Sequence, residues 1–226
     1  GLLLLVPAFR RLTPRGTLSL ARGLPAAVLL RGVLTFGFFA ADAYVALLLQ
    51  EWRGEPAYLT ALVFTTTSLA WAAGSWIQAR GIERRGARHY LALGALVTVA
   101  GIVLSMPALL PFVSPWIVVG TFALAGLGMG LAYAAVAIVV LREAPPAEQG
   151  SASAALQLSD ILGTALGAGI GGAIIAAGGR AGGDGVGIAL GITFGIAAVV
   201  MAGAFAASRR IDVAVLARPA RTAAVD

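Results

Sequence analysis

The sequence predicts an all-helical integral membrane protein built as a bundle of six transmembrane helices. Of its 226 residues, 59% are hydrophobic and only 12% are charged, whereas soluble domains carry about 25% charged residues. Its mean hydropathy of +0.92 is correspondingly high. The charged residues also leave long apolar intervals between them, and a helix needs about 20 such residues to cross a bilayer. Composition and pattern therefore favour the same fold class.

The apolar intervals place the six helices in order along the chain. The interval 89–141 is long enough for two helices, and the three prolines of MPALLPFVSP (106–115) divide it. The predicted helices are 28–50, 57–79, 89–109, 115–140, 152–177 and 186–207, with ends uncertain by about 2–4 residues. They form a bundle over 28–208, between a basic linker at 10–27 and a tail at 209–226. The opening stretch GLLLLVPAF (1–9) is too short to span, so we expect it to be the end of a preceding helix in a longer protein.

The arginines predict the orientation of the bundle. Of the 16 basic residues, all arginine, 14 fall in the segments on one side of the predicted helices, and only Arg53 and Arg180 fall on the other. The positive-inside rule then predicts that the bundle lies in a cell membrane with both of its ends on the cytoplasmic side. Because the arginines flank apolar runs, the net charge of +6 indicates membrane topology rather than nucleic-acid binding. With no cysteine and a single histidine, we predict neither a metal site nor a cofactor.

The first predicted helix contains an aspartate, Asp42, in the apolar stretch FGFFAADAYVALLL (36–49). An ionised carboxylate in hydrocarbon costs several kcal/mol, about 3 or more, so such residues are usually functional. Thr35 and Phe39 lie on the same side of this helix and are candidates to line a substrate cavity. Arg31 is assigned to the basic segment before the helix, so no arginine is expected mid-span to neutralise Asp42. We therefore predict that Asp42 exchanges protons, with a structural carboxylate as the alternative.

The fifth predicted helix combines a polar stripe with a glycine track. Ser153, Gln157, Asp160 and Thr164 follow the i, i+4, i+7, i+11 spacing of one helical face. We take Asp160 as a second proton-coupling candidate, and Gln157 and Thr164 as cavity candidates. A polar face is costly against lipid, so it should contact either a neighbouring helix or water. The glycines that run beside the stripe predict close helix packing: Gly163, Gly167 and Gly171.

The second and fourth predicted helices supply further candidates. Thr67 and Trp71 share one face of the second helix and could line a pocket, although such hydroxyls often bond back to their own helix. In the fourth helix, Gly126 and Gly130 are spaced for close helix packing. Tyr133 lies beyond them as a candidate ligand contact.

Three stretches of the chain resemble the carboxyl-terminal half of major facilitator superfamily transporters, most closely the drug:proton antiporters. GSWIQARGIERRGAR (74–88) resembles the loop signature Gly-x-x-x-Asp-Arg-x-Gly-Arg-Arg, with Gln78 where the family has its acid. LGTALGAGIGGAI (162–174) is similar to the antiporter motif of the family's fifth helix, with Ala168 in place of its proline. REAPPAEQGSASA (142–154) resembles the loop that leads into the eleventh helix.

This resemblance implies that the helices are numbers seven to twelve of a transporter that works by alternating access. It implies a small amphipathic substrate, protons as coupling ions, and a missing amino-terminal six-helix half as partner. It also implies a cytoplasmic gate formed by Gly74, Arg80, Arg84 and Arg85. Whether the parent protein has 12 or 14 helices is left open.

Two other functions were weighed. A membrane scaffold without transport activity, or a nonfunctional half-transporter, has the same composition. An intramembrane aspartyl protease would also place two aspartates on different helices. However, AGGDG (181–185) and the surroundings of Asp42 and Asp160 do not match that family's signatures. The sequence therefore favours a transporter and does not predict an enzyme.

Overall fold

The computed structural model describes residues 13–210 except 15, 20 and 22, and in this part it contains six long α-helices and no strand. The helices are α1 (Leu24–Asp42), α2 (Ala57–Arg85), α3 (Ala87–Ser105), α4 (Ile117–Glu143), α5 (Gln149–Ala181) and α6 (Gly185–Ala207). They occur where the apolar intervals predicted them, but α1 and α5 begin earlier and α2 ends later than expected. These extensions all lie at the end of the bundle that carries most of the arginines, which we call the arginine-rich end. The predicted helix end at 1–9 and the tail after residue 210 lie outside the described residues.

The first helix is interrupted, whereas the sequence predicted one helix over 28–50. α1 ends at Asp42, the chain turns at residues 43–44, and a π-helical segment follows at Leu47–Trp52. In that segment the backbone N–H of Arg53 donates to the carbonyl of Leu48, 3.1 Å away. Interruptions of this kind often accompany functional residues. Here the interruption places Asp42 at the end of an α-helix.

Glycines allow the closest helix pairs to form. α2 packs on α4, α3 packs on α4, and α1 packs on α5, each along a line of small residues. A Cβ atom built at Gly126 of α4 would lie 2.5 Å from the carbonyl oxygen of Thr67 in α2. A Cβ built at Gly101 of α3 would lie 2.5 Å from the backbone nitrogen of Ala125 in α4. The backbones therefore approach as closely as helices do when small residues form the contact.

Length and composition make most of these helices compatible with a membrane-embedded bundle. Among the described residues, five helical stretches are long and apolar enough to cross a membrane, and they include every long helix except α2. Exposed apolar side chains cover the outside of the bundle, for example Val199, Leu69 and Ile188. Five membrane-spanning candidates and an apolar exterior are compatible with a helical bundle in lipid.

The two ends of the bundle differ. The segments at 53–56, 110–116 and 182–184 meet at one end, which we call the three-loop end. Tyr58 and Trp116 form an exposed aromatic pair there, with ring centroids 6.4 Å apart. At the opposite end, Tyr90 is buried with its hydroxyl against Gly81, because that glycine leaves room for the ring between α2 and α3.

Candidate functional site

A buried ion pair joins α1 to α5 inside the bundle. The Nε of Arg31 donates to Oδ1 of Asp160 over 2.9 Å, and the two side chains are 7% and 15% exposed. Tyr133 of α4 completes the group, because its hydroxyl donates to Oδ2 of Asp160, also at 2.9 Å. We call these three residues, Arg31, Tyr133 and Asp160, the polar triad. It ties together three helices that are far apart in the sequence.

The triad neutralises its own charges. The guanidinium of Arg31 lies 3.0 Å from the centre of the Tyr133 ring, a cation–π contact, and its NH1 donates to the Tyr133 carbonyl at 2.7 Å. Both oxygens of Asp160 accept hydrogen bonds. Of its two charged side chains, the carboxylate is the more exposed, while the guanidinium lies deeper.

The expected position of Arg31 was wrong. The sequence assigned it to the basic segment before the first helix, but α1 begins at Leu24 and Arg31 lies buried inside it. The guanidinium of Arg31 pairs with Asp160 and not with Asp42, because Asp160 lies opposite it on α5. Among the described residues no arginine neutralises Asp42.

Asp42, the other carboxylate in an apolar helical stretch, is half-buried. No hydrogen bond or ion pair to its side chain is formed within the described part of the chain. It follows Arg31 by 11 residues, which corresponds to about 16 Å along an α-helix. The two aspartates therefore lie at different levels of the bundle, and one has a charged partner while the other has none.

Thr35 was expected to line a cavity, and the structure places it elsewhere. Its side chain is fully buried at the α1–α5 contact. Its hydroxyl contacts the carbonyl of Arg31 at 3.1 Å and that of Asp160 at 3.2 Å. The glycine track of α5 brings the two helices together here, because Gly163 faces the carbonyl of Gly32 and the hydroxyl of Thr35. Thr35 thus contacts the backbone of two triad residues, Arg31 and Asp160, and lines no cavity.

Thr67 is also buried rather than exposed to a cavity. Its hydroxyl donates to the carbonyl of Val63 at 2.7 Å, in the same helix. Its backbone carbonyl faces Gly126 of α4. The alternative in which the hydroxyl bonds back to its own helix therefore describes Thr67.

An aromatic cluster adjoins the triad. The ring of Trp71 meets Tyr133 edge-on with centroids 5.3 Å apart, and it meets Phe38 in the same way at 5.4 Å. Phe39 contacts Phe38 with centroids 5.2 Å apart. Trp71, Phe39 and Tyr133 are half-buried. Three cavity candidates are therefore joined through ring contacts beside a charged group.

Some residues of the polar stripe of α5 contact neighbouring helices, and others are exposed. Asp160 belongs to the triad, Thr164 is half-buried, and Gln157 and Ser153 are exposed. The track beside it is buried: Gly167 faces the backbone of Phe36 and Ala40, and Gly171 faces the ring of Tyr44. One side of α5 thus packs on α1 while the polar side borders an open surface.

The predicted gate residues lie at the arginine-rich end. Gly74 is buried against the backbone of Leu127 and Gly130, so α2 touches α4 there. Arg80 is exposed with its guanidinium 3.5 Å from the centre of the Trp76 ring. Arg84 and Arg85 are exposed, and the only ion pair among the described residues is that of Arg31 with Asp160.

Sequence reasoning missed two residues of the site. Arg31 could have been found, because the predicted helix 28–50 already contained it. Tyr44 donates its hydroxyl to the carbonyl of Ala168 and packs its ring on Gly171 and Gly172. No local pattern indicated Tyr44, because its partners lie more than 120 residues away.

Comparisons with known proteins add no assignment. No protein-family model matches the chain, and a search of curated proteins finds no match either. Within the described residues no cluster of three or more potential metal ligands occurs. The function must therefore be argued from the triad, from Asp42 and from the faces around them.

Proposed function

We propose that this chain is the carboxyl-terminal six-helix half of a secondary transporter of the major facilitator type, and that it serves proton-coupled efflux of small amphipathic compounds. The observation that carries the proposal is Asp42, a half-buried carboxylate with no described partner in an apolar helix. Ionisable groups within such helices mark ion and substrate pathways by default. The resemblance of 74–88 and 162–174 to the family's signatures supports the same assignment.

The two aspartates then have different roles. Asp160 already has Arg31 as its counter-ion and accepts a hydrogen bond from Tyr133. Asp42 has no cation to neutralise it, so a proton is its simplest means of losing charge in an apolar environment. Asp42 is therefore the proton carrier, and the triad holds α1, α4 and α5 in one arrangement. Because Asp160 contacts both Arg31 and Tyr133, a change of state that moves α5 away from α1 and α4 would break that arrangement.

The substrate class follows from the surroundings of the triad. The half-buried rings of Trp71, Phe39 and Tyr133 offer aromatic faces to an apolar body. Aromatic faces and carboxylates both attract organic cations. An amphipathic cation is therefore a suitable probe substrate, and the missing six-helix half supplies the opposite wall.

The test is proton-driven transport by the complete protein in liposomes, with ethidium as the probe. We expect an imposed pH gradient to drive ethidium movement. Asp42→Asn should abolish the dependence on the gradient while leaving downhill exchange, because the pathway remains but the proton carrier is lost. Glu51→Gln is the matched control, because it removes an exposed carboxylate of the same helical stretch.

Two outcomes would contradict the proposal. If Asp42→Asn retains full gradient-driven transport, Asp42 does not carry the proton. If the wild-type protein binds ethidium but moves neither ethidium nor protons, a membrane scaffold explains the fold better. Proton movement measured with an internal pH dye distinguishes the two cases.

A further inference from the structure

A cavity of about 710 Å³ lies at the three-loop end of the bundle, away from the triad. Trp52 and Arg53 line it after α1, Leu109 to Pro111 line it after α3, and Asp184, Gly187 and Ile188 line it at the start of α6. Its volume is within the range of small-molecule sites, about 300–1,000 Å³. Since all three loops contribute, the cavity is a feature of the folded bundle and not of one loop.

Two opposite charges line this cavity without pairing. Arg53 donates from NH1 to the carbonyls of Ala108, at 2.8 Å, and Leu110, and from NH2 to those of Val113, at 2.8 Å, and Pro111, at 3.4 Å. The segment 108–113 therefore holds both terminal nitrogens, and Arg53 acts on the cavity through its charge. The accepting carbonyls are neutral, so no described carboxylate compensates the charge of Arg53. Asp184 begins α6 without a capping hydrogen bond from its side chain, and it forms no ion pair among the described residues. The cavity thus presents a fixed cation and an unused carboxylate on separate walls.

Apolar and aromatic surfaces continue from these charges. The Trp52 ring packs on Gly187, and its indole N–H donates to the carbonyl of Leu109 at 3.1 Å. Ile188 is 63% exposed and starts a stripe along α6 at helical spacing, with Ile192 49% exposed and Val199 73% exposed. An amphipathic indole beside charged groups is typical of the membrane–water interface, and the stripe below it suits acyl chains.

We propose that this cavity binds the headgroup of one zwitterionic phospholipid, with phosphatidylethanolamine as the probe. The phosphate lies toward Arg53, the ammonium lies toward Asp184, and an acyl chain runs along Ile188 and Ile192. A phospholipid with an anionic headgroup would place no cation near Asp184, so the site discriminates by charge. The proposal needs only a lipid interface at the three-loop end, and it holds whether or not the protein transports anything.

Native mass spectrometry of the complete protein in detergent tests the proposal, with added phosphatidylethanolamine or phosphatidylglycerol. We expect wild-type protein to bind phosphatidylethanolamine more tightly. Asp184→Asn should weaken that binding about two- to fivefold, the effect of one exposed charge contact, and leave phosphatidylglycerol unchanged or tighter. Glu51→Gln is the control, because it removes an exposed carboxylate at the same end that does not line the cavity.

Further arms identify the source of the headgroup. Soluble glycerophosphoethanolamine should compete poorly, because it lacks the acyl chains that the α6 stripe binds, and Ile188→Asn should weaken both lipids alike. An equal preference for the two lipids in wild-type protein would overturn the proposal, as would an unchanged preference in Asp184→Asn. Competition by the soluble headgroup as strong as by the lipid would assign the cavity to a soluble zwitterion and overturn the lipid assignment.

Discussion

At the scale of single residues, the triad shows how an apolar bundle retains a charged side chain. Arg31 is 6% exposed, and an unpaired guanidinium there would be very costly. The carboxylate of Asp160, the ring of Tyr133 and a backbone carbonyl together provide charge, cation–π contact and hydrogen bonds. The arrangement is stable only as a group, so removing one member should cost more than its own contact.

Asp160→Asn should therefore destabilise the protein by about 3 kcal/mol, at the low end for a buried pair because Asp160 is 15% exposed. The reason is that Arg31 stays buried without a carboxylate. Thermal unfolding in detergent measures the effect. Tyr133→Phe is the matched comparison: it removes one hydrogen bond to a charged group, about 1.5 kcal/mol, and keeps the ring. The explanation fails if Asp160→Asn is no more destabilising than Tyr133→Phe.

The sequence indicated three residues of the site but not their relationship. Asp42 and Asp160 stand out as acids in apolar runs, and Tyr133 follows a glycine pair. The pairing of Arg31 with Asp160 spans 129 residues, and helical spacing shows which residues share a face but not which helix that face contacts. For the same reason Thr35 and Thr67 were expected to line a cavity, although each lies in a helix contact.

At the scale of elements, glycines decide how the helices meet. The apolar intervals were sufficient to locate all six helices, since length and hydropathy are local properties. They did not predict the interruption after Asp42, because Tyr44 there is held by α5, where its ring lies on Gly171 and its hydroxyl bonds to Ala168. The path of the chain at the end of α1 is therefore set by its contacts with the glycines of α5.

Gly167→Ala should destabilise the α1–α5 contact by about 1–3 kcal/mol, the usual cost of overpacking. Its Cβ would lie 2.6 Å from the carbonyl oxygen of Phe36, and a backbone atom cannot move aside easily. Gly169→Ala is the matched control, because no atom lies within 4 Å of its Cβ and it belongs to the same helix. That control should be neutral or stabilising by up to about 1 kcal/mol.

Unfolding midpoints in detergent compare the two variants directly. Equal midpoints for Gly167→Ala and Gly169→Ala would show that the α1–α5 contact is loose enough to admit a methyl group. The glycine track would then not set the distance between these helices.

At the scale of the whole molecule, α2 and α5 are the least enclosed helices. Only seven of the 29 residues of α2 and six of the 33 residues of α5 are buried. The exposed side of α5 carries Gln157 and Ser153 as well as Ile161, which is 57% exposed, whereas the exposed side of α6 is apolar. A polar face is unfavourable against lipid, so the two surfaces should meet different environments: water or a second helical bundle for α5, and acyl chains for α6.

Cysteine labelling distinguishes these environments, and the chain has no native cysteine. In the complete protein in membranes, Gln157→Cys should react with a water-soluble maleimide, because the polar exposed side of α5 should be reached by water. Val199→Cys is the control: it is 73% exposed yet should stay unlabelled, because lipid excludes the reagent and disfavours the thiolate. The probe substrate should slow labelling at Gln157→Cys only. Labelling of Val199→Cys as fast as Gln157→Cys would show that the α6 face meets water, and the assignment of faces would be wrong.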